Sequence, residues 1–170
     1  LEVTRSHLAC TVDIEITMET NPGAVEHGDL RGYRDAGVNR LSVGAQSFDA
    51  GKLATLGRIH GVDDIGATVK EAVDAGFDDI NIDIMYALPG QDVAGAVSDI
   101  EAAASLEPTH LSWYQLTLEP NTVFHARPPP DLPDEDLSFA IQEAGEARLA
   151  ELGFERYEVS AWARSGRRCR

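Results

Sequence analysis

Between Ile80 and Gly90 the aliphatic residues Ile80, Ile82 and Ile84 alternate with Asn81, Asp83 and Met85, until Pro89-Gly90 breaks the run. A period of two predicts a β-strand, and a Pro-Gly pair ends it, since proline has no amide hydrogen to donate to a sheet. Three other stretches carry the same period. Val12, Ile14, Ile16 and Met18 alternate with Asp13, Glu15, Thr17 and Glu19. Leu41, Val43 and Ala45 alternate with Ser42, Gly44 and Gln46, and Leu111 to Leu118 reads as a strand with Gln115 and Thr117 on one face. A last strand is expected from Tyr157 to Ala163.

Between these strands the apolar spacing becomes helical. A helix is expected after Asn21-Pro22-Gly23, with Leu30 and Tyr33 on one face and Gly37 at its end. A short helix ends near Gly57, and Asp63-Asp64 opens another with Ile65, Val69, Ala72 and Val73 expected as its buried stripe. Asp92 is placed to cap a helix bearing Val93, Ala96, Val97, Ile100 and Ala104, which Glu107-Pro108 stops. Asp134-Glu135-Asp136 opens the last, with Leu137, Ile141, Ala144 and Leu152 inward and Gly153 at its end. Alternating β and α units predict an α/β fold built on a parallel sheet with right-handed crossovers. The stiff run Arg127-Pro128-Pro129-Pro130-Asp131-Leu132-Pro133 marks a boundary, dividing the chain into residues 1–125 and 126–170.

With the aliphatic faces turned to the helices, Glu19, Gln46, Asp83 and Thr117 point to the other side, each late in its strand. That is the end of the sheet at which α/β barrels place their chemistry. One such polar residue more often braces a loop; four on successive strands form a candidate binding site. Its two carboxylates leave two readings open. Glu19 and Asp83 could pair for glycoside hydrolysis in an unrelated barrel hydrolase. They could instead accept hydrogen bonds from a ribose diol, with Gln46 and Arg58 completing a nucleoside pocket.

Composition narrows the partners. The chain has 14 basic and 29 acidic residues in 170, a net charge of −15, which argues against nucleic acid or an anionic membrane surface. No apolar run approaches the roughly 20 residues of a membrane span. There is no glycine-rich phosphate loop, and the five histidines show no ligand spacing. Cys10 and Cys169 are the two cysteines, and free thiols in a reducing cytoplasm are the simpler expectation. Arginines at 164, 167, 168 and 170 surround Cys169 in a basic tail suited to carboxylates. A complete (β/α)₈ barrel takes about 250 residues, and the chain reads as an internal segment of a longer protein.

Several stretches together carry a resemblance. They are Glu15-Ile-Thr-Met-Glu19-Thr-Asn-Pro22, Asn39-Arg-Leu-Ser-Val-Gly-Ala-Gln46-Ser-Phe48-Asp49, Leu56-Gly-Arg58-Ile-His60 and Asn81-Ile-Asp83-Ile-Met-Tyr-Ala-Leu-Pro-Gly90. Leu111-Ser-Trp-Tyr-Gln-Leu-Thr-Leu-Glu119-Pro120-Asn121-Thr122 and Tyr157-Glu-Val-Ser-Ala161 belong with them. The chain resembles the oxygen-independent coproporphyrinogen III oxidase-like radical S-adenosylmethionine (radical SAM) proteins, and within them the haem chaperone branch.

The resemblance implies a partial (β/α)₆ barrel, lacking its first βα units, followed by the start of a C-terminal α/β domain. It implies S-adenosylmethionine and a [4Fe–4S] cluster as cofactors, with Glu19, Gln46, Arg58 and Asp83 in the S-adenosylmethionine pocket and Met85 and Thr117 lining it. It further implies a cytoplasmic protein that binds haem or a porphyrin and serves haem-accepting proteins, with an unpaired sheet edge open to a second copy in a homodimer. The rival within the family is an oxidase acting on coproporphyrinogen III. The family's Cys-x₃-Cys-x₂-Cys motif does not occur here, so this chain alone is expected to hold no cluster and to be inactive.

Overall fold

The computed structural model describes His7, Thr11, residues 13–23 and residues 29–169. Six strands form one sheet: β1 (Thr17–Thr20), β2 (Arg40–Gln46), β3 (Ile80–Tyr86), β4 (His110–Gln115), β5 (Phe154–Glu158) and β6 (Ala161–Arg164). The described helices are α1 (Leu30–Asp35), α2 (Ala50–Thr55), α3 (Val62–Asp74), α4 (Val93–Ser105), α5 (Val123–Ala126) and α6 (Glu135–Glu151). Strand order is β1-β2-β3-β4-β6-β5, with β1 to β4 parallel and β6 antiparallel to both of its neighbours.

The strand pattern becomes two chemically different faces. Leu41, Val43, Ile82, Ile84 and Leu111 are buried on the face that meets the helices, together with Ile65, Val69, Ile100, Ile141 and Leu149. Burying such side chains contributes about 1.5–3 kcal/mol each before entropy is counted. The helices start where short acidic side chains satisfy their first amides. Asp29, Asp49, Asp92 and Asp134 accept from Gly32, Lys52, Gly95 and Leu137 nitrogens at 2.8–3.0 Å. Asp64 instead reaches back to the nitrogen of Gly61, which stands at the N-cap of α3.

Several expectations need correction. The last strand is a hairpin, β5 and β6, turning at Val159-Ser160, where Ser160 takes φ 120°. The sheet is therefore mixed. No glycine or asparagine marks that turn, so the chain gave no hairpin signal. The regular part of the first strand shrinks to Thr17–Thr20, and on α3 Val73 is exposed while Thr68 takes the buried place beside Ile65, Val69 and Ala72. Before it, Asn39 grips the chain at both polar ends, accepting from the Ile16 nitrogen at 2.7 Å and donating to the Ile14 carbonyl at 2.8 Å. Val12, Cys10 and Arg170 lie outside the described residues, as do residues 24–28 of the helix expected after Gly23.

β4 ends at Gln115, so Thr117 follows the strand and is exposed. The facing of β4 is also one residue out of phase with the expectation. Leu111 and Trp113 are buried toward the helices, while Tyr114 turns to the opposite face. Trp113 decides that phase: it is 3% exposed, its ring centroid lies 4.3 Å from that of Tyr86, and α6 crosses it at Gly145. α6 is also tied to α4 through Arg148 and Glu101, 2.9 Å apart.

Candidate functional site

A polar cavity of about 490 Å³ opens at the C-terminal ends of β1 to β4. Glu19, Thr20, Asn21, Ser42, Gly44, Gln46, Arg58, Asp83 and Tyr114 line it. Four of the six candidates from the sequence, Glu19, Gln46, Arg58 and Asp83, thus come together. Met85 is half-buried two residues beyond Asp83 on β3, outside the lining. Thr117 is absent from the lining because β4 has already ended.

Asp83 is held from within the sheet. Asn81 Nδ2 donates to its Oδ1 at 2.8 Å, and Ser42 Oγ donates to its Oδ2 at 2.9 Å. Asn81 Nδ2 also lies 2.8 Å from Ser42 Oγ and 2.9 Å from Ser112 Oγ, and Ser112 Oγ lies 3.2 Å from Asn81 Oδ1. An amide has two hydrogens to give. An assignment within that limit runs from Ser112 to Asn81 Oδ1, from Asn81 to Ser42 and Asp83, and from Ser42 to Asp83. Asp83 therefore takes one donor on each oxygen and keeps lone pairs for donors in the cavity.

The next strand supplies the opposite character. Gln46 is 5% exposed and sits at φ 71°, where the register of β2 against β3 slips. Such backbone is costly for a non-glycine residue and holds only where its neighbours fix it. Tyr114 donates its hydroxyl to Gln46 Oε1 at 2.7 Å. Burial, and then the charge of Asp83, push the Tyr114 phenol above its ordinary range, so it stays protonated. Gly44 lies between: a Cβ there would stand 3.0 Å from Gln46 Nε2 and 3.2 Å from Asn21 Oδ1. Arg58 reaches the same Asn21 Oδ1 with Nη1 at 3.3 Å.

The loops behind the cavity are clasped by one buried acid. Asp99 on α4 accepts from Ser47 Oγ at 2.9 Å, the Phe48 nitrogen at 2.7 Å and Gln91 Nε2 at 3.3 Å. Burial pushes this carboxyl up, although its donors from Phe48 and Ser47 oppose the shift. His60 is a packing residue, buried with Nε2 3.3 Å from the Ala45 carbonyl.

At the other end of the sheet Asp79 gathers Thr109 Oγ1 at 2.7 Å, His110 Nδ1 at 3.0 Å and Arg40 Nε at 3.9 Å. In the tail, Arg164 donates to the Pro108 carbonyl at 3.1 Å and stacks over Phe154, so it belongs to the fold. Cys169 Sγ lies 3.0 Å from the Tyr157 hydroxyl, and burial together with that contact pushes the phenol up to about 12.

Tyr114, Asn21, Ser42 and Asp99 had no role in the sequence reading. Tyr114 stands on the face of the expected strand opposite to Gln115 and Thr117, and Asp99 interrupts an otherwise aliphatic helix face without any local motif.

Residues 3–103 match the model of the radical SAM superfamily. The chain belongs to the radical SAM superfamily. Among curated relatives, this radical SAM chain is 47% identical over 169 residues to the haem chaperone HemW of Escherichia coli (strain K12), covering 99% of this chain and 44% of that one. Against HemW of Haemophilus influenzae it is 46% identical over 158 residues, 93% of this chain and 41% of that one. The radical SAM chain thus spans less than half the length of these relatives. Among solved structures, the coproporphyrinogen III oxidase HemN of Escherichia coli, a radical SAM enzyme, superposes with a TM-score of 0.85 at 28% identity, over 97% of this chain and 38% of that one. Superfamily membership displaces the hydrolase alternative for Glu19 and Asp83.

The superfamily implies S-adenosylmethionine and a [4Fe–4S] cluster. The cavity's donor set fits the first: a braced carboxylate, an amide and a guanidinium surround a glycine floor that a Cβ would fill. For the second, the two cysteines of the sequence are fewer than the three thiolates such a cluster needs. Among the described residues, no helix is long and apolar enough to cross a membrane.

Proposed function

We propose that this chain forms the S-adenosylmethionine-binding part of a haem chaperone, a cytoplasmic protein that binds haem and delivers it to haem-accepting proteins. The observation that carries the reading is the 47% identity to HemW sustained over 169 residues. In this reading Asp83 accepts from the ribose diol, Gln46 and Glu19 flank it, and Arg58 supplies the positive charge. Met85, two residues beyond Asp83 on β3, would approach the ligand from outside the present lining. In the family, the cluster and S-adenosylmethionine together supply radical chemistry.

What these residues contribute is binding and orientation. Asp83 is held as an acceptor by Asn81 and Ser42, so a ligand hydroxyl meets a carboxylate that is already aligned. Residues 126–170 begin a C-terminal domain that extends the sheet through β6 and β5. The β1 edge would meet a second copy in a homodimer.

A second reading, a coproporphyrinogen III oxidase, is favoured by the TM-score of 0.85 to HemN. The full-length protein with its cluster reconstituted separates the two. Haem titration should give saturable binding, and product analysis should find no decarboxylation of coproporphyrinogen III. Clear conversion to protoporphyrinogen IX overturns the chaperone reading.

A further inference from the structure

We infer that Tyr114 is a positioning residue that fixes which end of the Gln46 carboxamide faces the bound ligand, so that the cavity offers an N–H donor beside the Asp83 acceptor. The inference rests on reading this cavity as the S-adenosylmethionine site.

A glutamine side chain has two ends of nearly equal size and opposite hydrogen-bonding character. Left alone at the end of a strand, it can present either. Two features of this site remove that freedom. The Tyr114 hydroxyl donates to Gln46 Oε1 at 2.7 Å, and the phenol is kept protonated by burial and by Asp83. On the other side of the amide, the space above Gly44 is lined by oxygens: a Cβ on Gly44 would meet Asn21 Oδ1 at 3.2 Å and the Thr20 carbonyl at 3.6 Å, beside Gln46 Nε2 at 3.0 Å. A flipped amide would instead place its carbonyl on the side of those two oxygens, adding a third acceptor there. The observed orientation keeps Nε2, and not a further oxygen, on that side.

The backbone makes the arrangement rigid. Gln46 stands at φ 71° beyond a slip in the β2–β3 register, and Ser47 and Phe48 just after it are bound by Asp99. With little backbone freedom left, the amide orientation is set by the Tyr114 hydroxyl on one side together with the oxygens beside Gly44 on the other. Asp83 and Gln46 therefore present complementary groups, one accepting and one donating. A ligand with a hydroxyl pair next to an acceptor atom matches both, whereas a ligand of the reverse polarity matches neither.

The test uses the full-length protein with its cluster reconstituted, titrated calorimetrically with S-adenosylmethionine and, separately, with S-adenosylhomocysteine. Tyr114→Phe removes one oxygen and keeps the ring. It is expected to weaken binding of both about three- to tenfold, the usual effect of one neutral hydrogen bond, with the fold retained by circular dichroism. In a Gln46→Ala background the same substitution should have no effect, because there is no amide left to orient. Asp83→Asn is the control for the cavity, with an expected loss of roughly ten- to a hundredfold.

If Asp83→Asn weakens binding and Tyr114→Phe does not, the inference falls and the cavity reading stands. If Tyr114→Phe costs the same with and without Gln46, Tyr114 does not act through the amide and the inference again falls. If the parent protein binds neither compound, or Asp83→Asn changes nothing, the cavity reading falls and takes the inference with it.

Discussion

Replacing Gly145 by alanine tests how tightly α6 is set against the sheet. A Cβ built on Gly145 would lie 2.0 Å from Cη2 of Trp113, 2.3 Å from Cζ2 and 2.8 Å from Cζ3. Ordinary contact begins near 3.4 Å, so ring and helix must separate by about 1.4 Å. Trp113 cannot swing away freely, because it is 3% exposed and stacked against Tyr86. Overpacking of this kind costs typically about 1–3 kcal/mol, and the absence of an easy retreat places Gly145 at the upper end. Alanine recovers about 1 kcal/mol of helix propensity.

The net expectation is a loss of about 2 kcal/mol, or about 4–8 °C in melting temperature for a chain of this size. Gly66 in α3 is the internal control, since its Cβ would meet Leu106 alone, at 3.9 Å. There the same substitution should stabilise by about 0.5–1 kcal/mol. Thermal unfolding followed by near-ultraviolet circular dichroism and by fluorescence of Trp113 and Trp162 reads both variants. Equal stability changes at the two glycines, or a more stable Gly145→Ala, would falsify the packing argument.

Gly44→Ala should weaken S-adenosylmethionine binding by the full-length protein about three- to tenfold, because its Cβ must displace Gln46 Nε2 and Asn21 Oδ1; calorimetry returning the parental affinity would contradict the cradle. Asp79 gives a pH effect of definite sign. Burial pushes its carboxyl up, but hydrogen bonds from His110 and Thr109 and the charge of Arg40 outweigh this and hold it below the ordinary carboxylate range. Its contribution to stability is therefore present above that range and lost as the pH falls through it. Asp79→Asn should flatten the fall in urea midpoint between about pH 5 and about pH 3; an unchanged slope would show that Asp79 is not responsible. Anaerobic reconstitution of residues 1–170 is expected to give no stoichiometric cluster, since two cysteines supply too few thiolates, and four irons per chain with cubane absorbance would refute this.

What was legible in the sequence follows from periodicity. The alternation through Ile80–Tyr86 identified β3, its buried face and the outward turn of Asp83, because a strand buried on one side by helices must repeat every second residue. The same rule gave Gln46 and Glu19. It misled at β4, where Leu111, Trp113, Tyr114 and Leu116 offer apolar surface on both faces. There the fit of the Trp113 indole against Gly145 chose the phase, and that contact spans 32 residues of sequence. The fastening residues were hidden for a related reason. Apart from the Asp99–Gln91 contact, Asn39, Asp99 and Tyr114 act on partners 23 to 68 residues away, and nothing in their immediate surroundings shows it. The resemblance pointed to Glu19, Gln46, Arg58 and Asp83, which the fold brings to one cavity, but not to the groups that hold them in place.

The clasp at Asp99 has a consequence for the order in which the molecule assembles. α4 follows β3 in the chain, yet its carboxylate binds the amide of Phe48, which precedes β3 by more than 30 residues. The loop after β2 can therefore reach its final shape only once α4 has docked. The end of β2 that bears Gln46 should ripen late in folding, after the sheet itself has formed. In native-state hydrogen exchange the Phe48 amide should open together with α4 rather than with the β2 strand that leads into it.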